Sequence, residues 1–411
     1  MLFNPARHEP LQTTAWDETR VRQFITRIVR QTEAHMNADG LWPTHPNDGD
    51  GEDNPREPLT PLYHGACGVV WALDYLAAVG AVELERDPLA HAASLQALNR
   101  AWLEADHNTS FGSWMMGETP WLMLAYGRAP SEALADQLAG LIAGLIAGNI
   151  DNPTRELMWG SPGTLLAASL LHERTHDERW AELFRRTAGQ LAAELKWSEE
   201  RGCHYWTQDL YEREWTFLDG VHGFVGTALP LIRGRHLLDA ASWSEWESRI
   251  VNTLQRTATL EGGAANWPAF LTPPEGRKPT MLMQLCHGAP GFIVCVAHLP
   301  SRELDPLLLA AGEAVWAAGP LTKGSNLCHG TGGNGYAFLC LYQRTGDIKW
   351  LERAQAFAMH GIAQTEADEA THGQLRYSLW TGDLGFAIYL WDCLRGAAAF
   401  PTLDVFYGAA G

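Results

Sequence analysis

The chain has 411 residues, a 46% hydrophobic fraction and a formal net charge of −18. That charge excludes binding to nucleic acid or anionic membrane through a general positive field. The longest apolar run, Leu138 to Gly148, is too short to span a bilayer.

The seven cysteines are odd in number and form no compact framework, so a reducing compartment and a cytoplasmic protein are expected. Met1 to Thr14 is polar, holds Pro5 and Pro10, and lacks the apolar core of a signal peptide. Residues 17–37 read as an amphipathic helix: Asp17 can cap it, and Val21, Phe24, Ile25, Ile28 and Val29 share one face. Residues 38–61 form a Pro-, Gly- and Asp-rich loop, whose acidic run Asp48 to Asp53 reads as a solvated loop, with metal binding the lesser alternative.

A repeat follows. Glycine-bearing turns lead into apolar runs at His64-Gly65-Ala66-Cys67-Gly68, Met116-Gly117-Glu118, Trp159-Gly160-Ser161-Pro162-Gly163 and His222-Gly223-Phe224-Val225-Gly226. The series continues at Cys286-His287-Gly288, Cys328-His329-Gly330 and Thr381-Gly382-Asp383-Leu384-Gly385. The intervals between anchoring glycines run from 330 − 288 = 42 to 288 − 223 = 65 residues, a repeat with variable insertions. Each interval also holds a more polar helix, near 89–104, 130–149, 177–195, 240–258, 303–318 and 348–364, and the helix at 17–37 partners the first turn. No alternating run of strand length is present. Seven helix pairs could build an open solenoid or a closed ring. The inner members are apolar nearly all round and no polar capping repeat is visible, which favours an all-α double ring, an α/α toroid with the glycine-rich turns at one mouth. The expected organisation is a single domain over 1–411, with 1–16 as an N-terminal extension and a monomer as the default state.

Two of the turns are near-identical. Leu285-Cys286-His287-Gly288 and Leu327-Cys328-His329-Gly330 place a Cys-His pair 328 − 286 = 42 residues apart. Thiolate and imidazole select zinc over calcium or magnesium. Four ligands would make a closed structural site, whereas three leave zinc an open position. Adjacent residues point in different directions, so three ligands are preferred: Cys286, Cys328 and His329. The rival reading is a pair of packed helix starts with buried thiols. His222 sits on an equivalent turn and is either a general acid or base or a histidine satisfied by backbone. His64 and His287 occupy similar turns, with a structural role or a substrate contact open to each. Glu156 could support proton transfer or cap a helix, and Lys323 could receive an anionic group or be solvated.

These residues resemble those of the LanC-like family, the lanthionine synthetase cyclases and their stand-alone eukaryotic-type relatives. The resemblance rests on the turns, on Asp219-Gly220-Val221-His222-Gly223, on Leu285 to Gly291, on Leu327 to Leu339 and on the ending Phe400-Pro401. It covers the chain from about residue 17 and is strongest after 215. It implies a seven-fold α/α toroid with one zinc on Cys286, Cys328 and His329, His222 as the acid or base, Glu156 in support, and Lys323 as the eukaryotic-type lysine. The implied chemistry is addition of a peptide Cys thiol or glutathione to dehydroalanine or dehydrobutyrine, giving a thioether. Leu282 replaces an Arg common in the cyclases, and His287 replaces their Tyr, which turns the expectation toward glutathione or another small thiol. The alternatives are a non-catalytic binder of glutathione or peptide and a toroidal carbohydrate enzyme using two carboxylates.

Overall fold

The computed structural model describes residues 1–48, 57–105, 110–273 and 281–408; residues 49–53 of the acidic run lie outside them. Among the described residues there are fourteen α-helices. They alternate as the repeat requires. The apolar members are α2 (Ala66–Ala78), α4 (Thr119–Gly127), α6 (Ser161–Thr175), α8 (Phe224–Arg233), α10 (Ala289–Val296), α12 (Thr331–Thr345) and α14 (Asp383–Arg395). Their partners are α1 (Glu18–His35), α3 (Ala92–Ala105), α5 (Glu132–Gly148), α7 (Glu178–Ala193), α9 (Ala240–Thr257), α11 (Asp305–Ala318) and α13 (Ile348–His372). No helix among the described residues is long and apolar enough to cross a membrane.

The chain packs as two compact units. One comprises 1–6, 112–114 and 136–318; the other comprises 7–111, 115–135 and 319–411. In the first, α6 packs on α7 and α8, and α10 packs on α8 and α11. In the second, α12 packs on α13 and α14, and α14 on α1 and α2. The cores carry fully buried tryptophans: Trp180, Trp206 and Trp267 in the first unit, Trp71, Trp350 and Trp380 in the second.

Two features depart from the sequence reading. Three short hairpins occur where no strand was expected: β1 (Lys196–Ser198) with β2 (Cys203–Tyr205), β3 (Gln208–Leu210) with β4 (Arg213–Trp215), and β5 (Thr259–Glu261) with β6 (Ala264–Asn266). Strands of three residues are too short to print an alternation; positive-φ glycines mark the turns of the first and third hairpins (Gly202; Gly262 and Gly263), while Tyr211 and Glu212 take positive φ in the second. Helix α13 also runs on to His372, beyond the expected end near 364. No proline interrupts that stretch, and Gly373, left-handed at φ 76°, is where it stops.

The glycine turns close the apolar helices without side-chain caps. The first N–H of α2, α8, α12 and α14 is taken by a carbonyl seven residues upstream: Ala66 by Leu59 (2.9 Å), Phe224 by Phe217 (3.0 Å), Thr331 by Gly324 (2.8 Å) and Asp383 by Arg376 (2.9 Å). The chain before each glycine thus folds back over the helix start. At Gly223 a Cβ would lie 2.1 Å from the Asp219 backbone nitrogen, which is why the position has no side chain.

Helix α10 is started differently. The Asn266 side chain accepts the Ala289 N–H (2.7 Å), and Gly288 adopts φ 112°. A Cβ there would sit 2.0 Å from the Leu282 carbonyl oxygen. Gly288→Ala is expected to destabilise the protein by at least about 2 kcal/mol, since backbone strain of this kind alone costs on the order of 1–3 kcal/mol. A urea unfolding midpoint measures it.

Candidate functional site

In the first unit, four buried or half-buried ionisable side chains pair off around the turns that start α6, α8 and α10. Glu156 is fully buried, and its carboxylate accepts the backbone N–H of Met158 (2.9 Å) and of Trp159. The same carboxylate meets His222 Nδ1 at 2.8 Å. Glu156 thus closes the turn ahead of α6 and also holds the histidine, whereas the helix itself has Gly160 as its N-cap and no side-chain cap. Asp219, also fully buried, accepts the His222 backbone N–H (2.8 Å) through one oxygen. Its other oxygen lies 2.7 Å from His287 Nδ1.

The pairs move the protonation equilibria. Burial works against the His222 cation, but the hydrogen bond and charge of Glu156, with Asp219 and Cys286, outweigh it and raise the pKa. Burial likewise opposes the His287 cation, and Asp219 and Cys286 overcome it, to about 9. Burial would raise the Asp219 carboxyl; the charge and hydrogen bond of His287, then His222, hold it below its ordinary value instead. The Phe217 ring lies 5.6 Å from His222 and 6.1 Å from His287, and it belongs to an apolar cluster with Leu210, Trp215, Phe270 and Trp159. Cys286 is buried on the same turn as His287, and its sulfur accepts a hydrogen bond from Gln284 Nε2 (2.9 Å).

In the second unit, Cys328 is buried and its sulfur accepts from the Tyr63 hydroxyl (2.9 Å). Backbone links fix this arrangement: Cys328 N–H donates to the Trp380 carbonyl (2.9 Å), and Trp380 N–H to the Tyr63 carbonyl (3.0 Å). The His329 backbone N–H donates to Asn326 Oδ1 (3.1 Å), and the Asn326 amide reaches the Lys323 carbonyl (2.9 Å). The Lys323 side chain is exposed. His64 lines a small cavity with Trp42, Pro43, Thr44, Asp48 and Tyr377, and burial pushes its pKa down to about 4.

Gln284, Tyr63 and the His287 partnership of Asp219 were not singled out in the sequence. Gln284 and Tyr63 stand one or two residues from residues that were, and only the fold-back of the turns aims them at sulfur.

The family model for lanthionine synthetase C-like proteins matches residues 60–405. The chain belongs to that family. It is 35% identical over 142 residues to a Danio rerio protein named glutathione S-transferase LANCL1, covering 32% of this chain and 33% of that one. It is 36% identical over 143 residues to the Arabidopsis thaliana LanC-like protein GCL1, covering 32% of each. The match spans about a third of the length of these curated relatives. Among solved structures the LanC-like chain is similar to nisin cyclase, with a TM-score of 0.54 and 14% identity over 92% of this chain and 99% of that chain. That likeness shows the fold, the α/α toroid class expected from the repeat.

The Glu156–His222 pair yields a direct check. Replacing the carboxylate removes the largest influence that raises the histidine and leaves only Asp219 and Cys286 to oppose burial. In Glu156→Gln the His222 pKa should fall, as read by an NMR titration of the ring protons.

Proposed function

We propose that this LanC-like protein activates a thiol, glutathione or a peptide cysteine, and adds it to dehydroalanine or dehydrobutyrine to form a thioether. Cys286, Cys328 and His329 would hold one zinc; two thiols and an imidazole are a donor set that fits this ion. Bound there, zinc would supply Lewis acidity that keeps an incoming thiol as thiolate at neutral pH. The zebrafish relative's name supports glutathione as the thiol.

The observation that carries the reading is the 2.8 Å contact between Glu156 and His222, in the unit that also contains Cys286. Addition of a thiolate to the β-carbon of a dehydroamino acid leaves an enolate, and the α-carbon then needs a proton. With Nδ1 held by Glu156, His222 has Nε2 left to deliver one, and its raised pKa favours the protonated ring. Gln284 and Tyr63 each donate a hydrogen bond to a ligand sulfur, which draws charge from it and fixes its side chain. Lys323 would receive a substrate carboxylate, and His287 and His64 would contact polar groups of the substrate. A monomer in a reducing, cytoplasmic setting completes the proposal; among the described residues no cysteine is in a disulfide.

Leu282, in place of the cyclase arginine, favours a second reading: a protein that binds glutathione or a peptide without turnover. Incubation with glutathione and a dehydroalanine peptide, followed by mass spectrometry, separates the two. The enzyme reading expects an adduct that is lost in Cys328→Ala and formed about 10²–10⁴-fold more slowly in His222→Ala, the usual range for a lost general acid. Glutathione binding with no adduct would establish the binder. The active histidine is the protonated form, so the rate should fall as pH rises through its raised pKa. In Glu156→Gln that fall should move to lower pH.

A further inference from the structure

A second cluster of donors lies within the second unit and takes no part in the chemistry above. It joins the loop before residue 49 to the last turns of α13. Asp368 and His372 stand four residues apart on one face of that helix, and His45 faces them from the loop. One nitrogen of each histidine and one oxygen of the carboxylate all lie within 4.8 Å of one another. Asp368 is 3.5 Å from His45 Nε2 and 3.4 Å from His372 Nε2. Both separations are long for charge-assisted hydrogen bonds, which run to about 2.9 Å. The two contacts use different oxygens, Oδ2 facing His45 and Oδ1 facing His372, and each is close to the roughly 3.3 Å that separates two ligand atoms held about 2.0–2.1 Å from one ion.

His45 is 1% exposed, and its Nε2 is buried with no hydrogen-bond partner. An unsatisfied ring nitrogen in such a place asks for an explanation. The loop that carries it is tied down on the same unit: Gln374 Nε2 donates to the Thr44 carbonyl (2.8 Å), Arg376 Nε to Asp48 Oδ1 (2.6 Å), and the His45 N–H to Asp48 Oδ2 (2.6 Å). The donors are therefore held in place before any ion arrives. His372 is partly open to solvent and gives an entry route.

We infer that His45, Asp368 and His372 form a second metal site, for a zinc-class divalent ion, that staples the 44–48 loop to the end of α13. Two imidazoles and one carboxylate suit zinc, cobalt or nickel, whereas calcium and magnesium take oxygen shells. The fourth position is left to water. His45 Nδ1 accepts the Asn47 backbone N–H (3.1 Å), so the neutral ring carries its proton on Nε2. Ligation through Nε2 shifts that proton to Nδ1 and breaks the Asn47 contact. The site gives up one local hydrogen bond and gains a metal–nitrogen bond.

The test counts zinc on the full chain after chelator stripping, reloading with zinc and desalting. It uses the wild type, His372→Ala and Cys286→Ala/Cys328→Ala, with circular dichroism to confirm folding. The inference expects Cys286→Ala/Cys328→Ala to retain one equivalent at micromolar zinc, and to bind it at least tenfold more weakly when His372→Ala is added. Zinc should also raise the melting temperature of Cys286→Ala/Cys328→Ala but not of the triple variant. No retained equivalent, or one indifferent to His372→Ala, overturns the inference. Should the cysteine variant not fold, wild type against His372→Ala decides: a lost equivalent supports the site, and unchanged stoichiometry overturns it. A single wild-type equivalent lost in His372→Ala would support this site while refuting the cysteine-bound zinc.

Discussion

The structure depends on how its buried helices begin. An α-helix leaves its first N–H groups without partners, and a helix start packed inside a protein cannot hand them to water. Here the N-cap residues of α2, α8, α12 and α14 are glycines that offer no side-chain cap. The chain solves the problem by folding the preceding seven residues back, so that carbonyls of the turn accept the helix's own N–H groups. The residues inside that fold-back are consequently fixed: His64 before α2, Asp219 and His222 before α8, Cys328 and His329 before α12. The closure that satisfies the backbone is also what presents the chemistry.

Charge is managed in the same places. Two carboxylates and two histidines are sunk into one unit, where isolated ions would be costly. Pairing Glu156 with His222 and Asp219 with His287 makes the burial tolerable. The linkage has a definite sign. His287, raised to about 9, contributes stability that is complete below the ordinary 6.5 and lost as pH climbs toward 9. Asp219, held below its ordinary 3.8, contributes stability present above that value and lost as pH falls through the lower one. The Asp219–His287 pair is thus at full strength in mildly acidic solution and weakens on the alkaline side. Phe217 lies against both histidines, and the aromatic neighbours packed on it keep the local medium apolar.

Much of the fold was legible because helix period and glycine spacing are local properties. The amphipathic face of α1 reads directly from Val21, Phe24, Ile25, Ile28 and Val29, all buried. The hairpins were not legible, because three residues carry too little pattern. The extension of α13 is not legible because its acidic, half-buried end carries no apolar face. That same overlooked extension carries Asp368 and His372. Glu156 can be named from its position, but local sequence does not reveal its contact with His222, 66 residues away.

The sequence by itself determined which residue types sit at the turns: glycine where a Cβ would strike backbone, and at four of them, Gly65, Gly223, Gly288 and Gly330, a histidine just before it. It determined the alternation of apolar and polar helices, because burial selects composition. Only the tertiary structure decided the pairings: Glu156 with His222, Asp219 with His287, Tyr63 with the Cys328 sulfur 265 residues away, and His45 with the end of α13. A pairing depends on where two segments meet and on which way each side chain then points. Those are set by packing over the whole unit and leave no trace in local spacing.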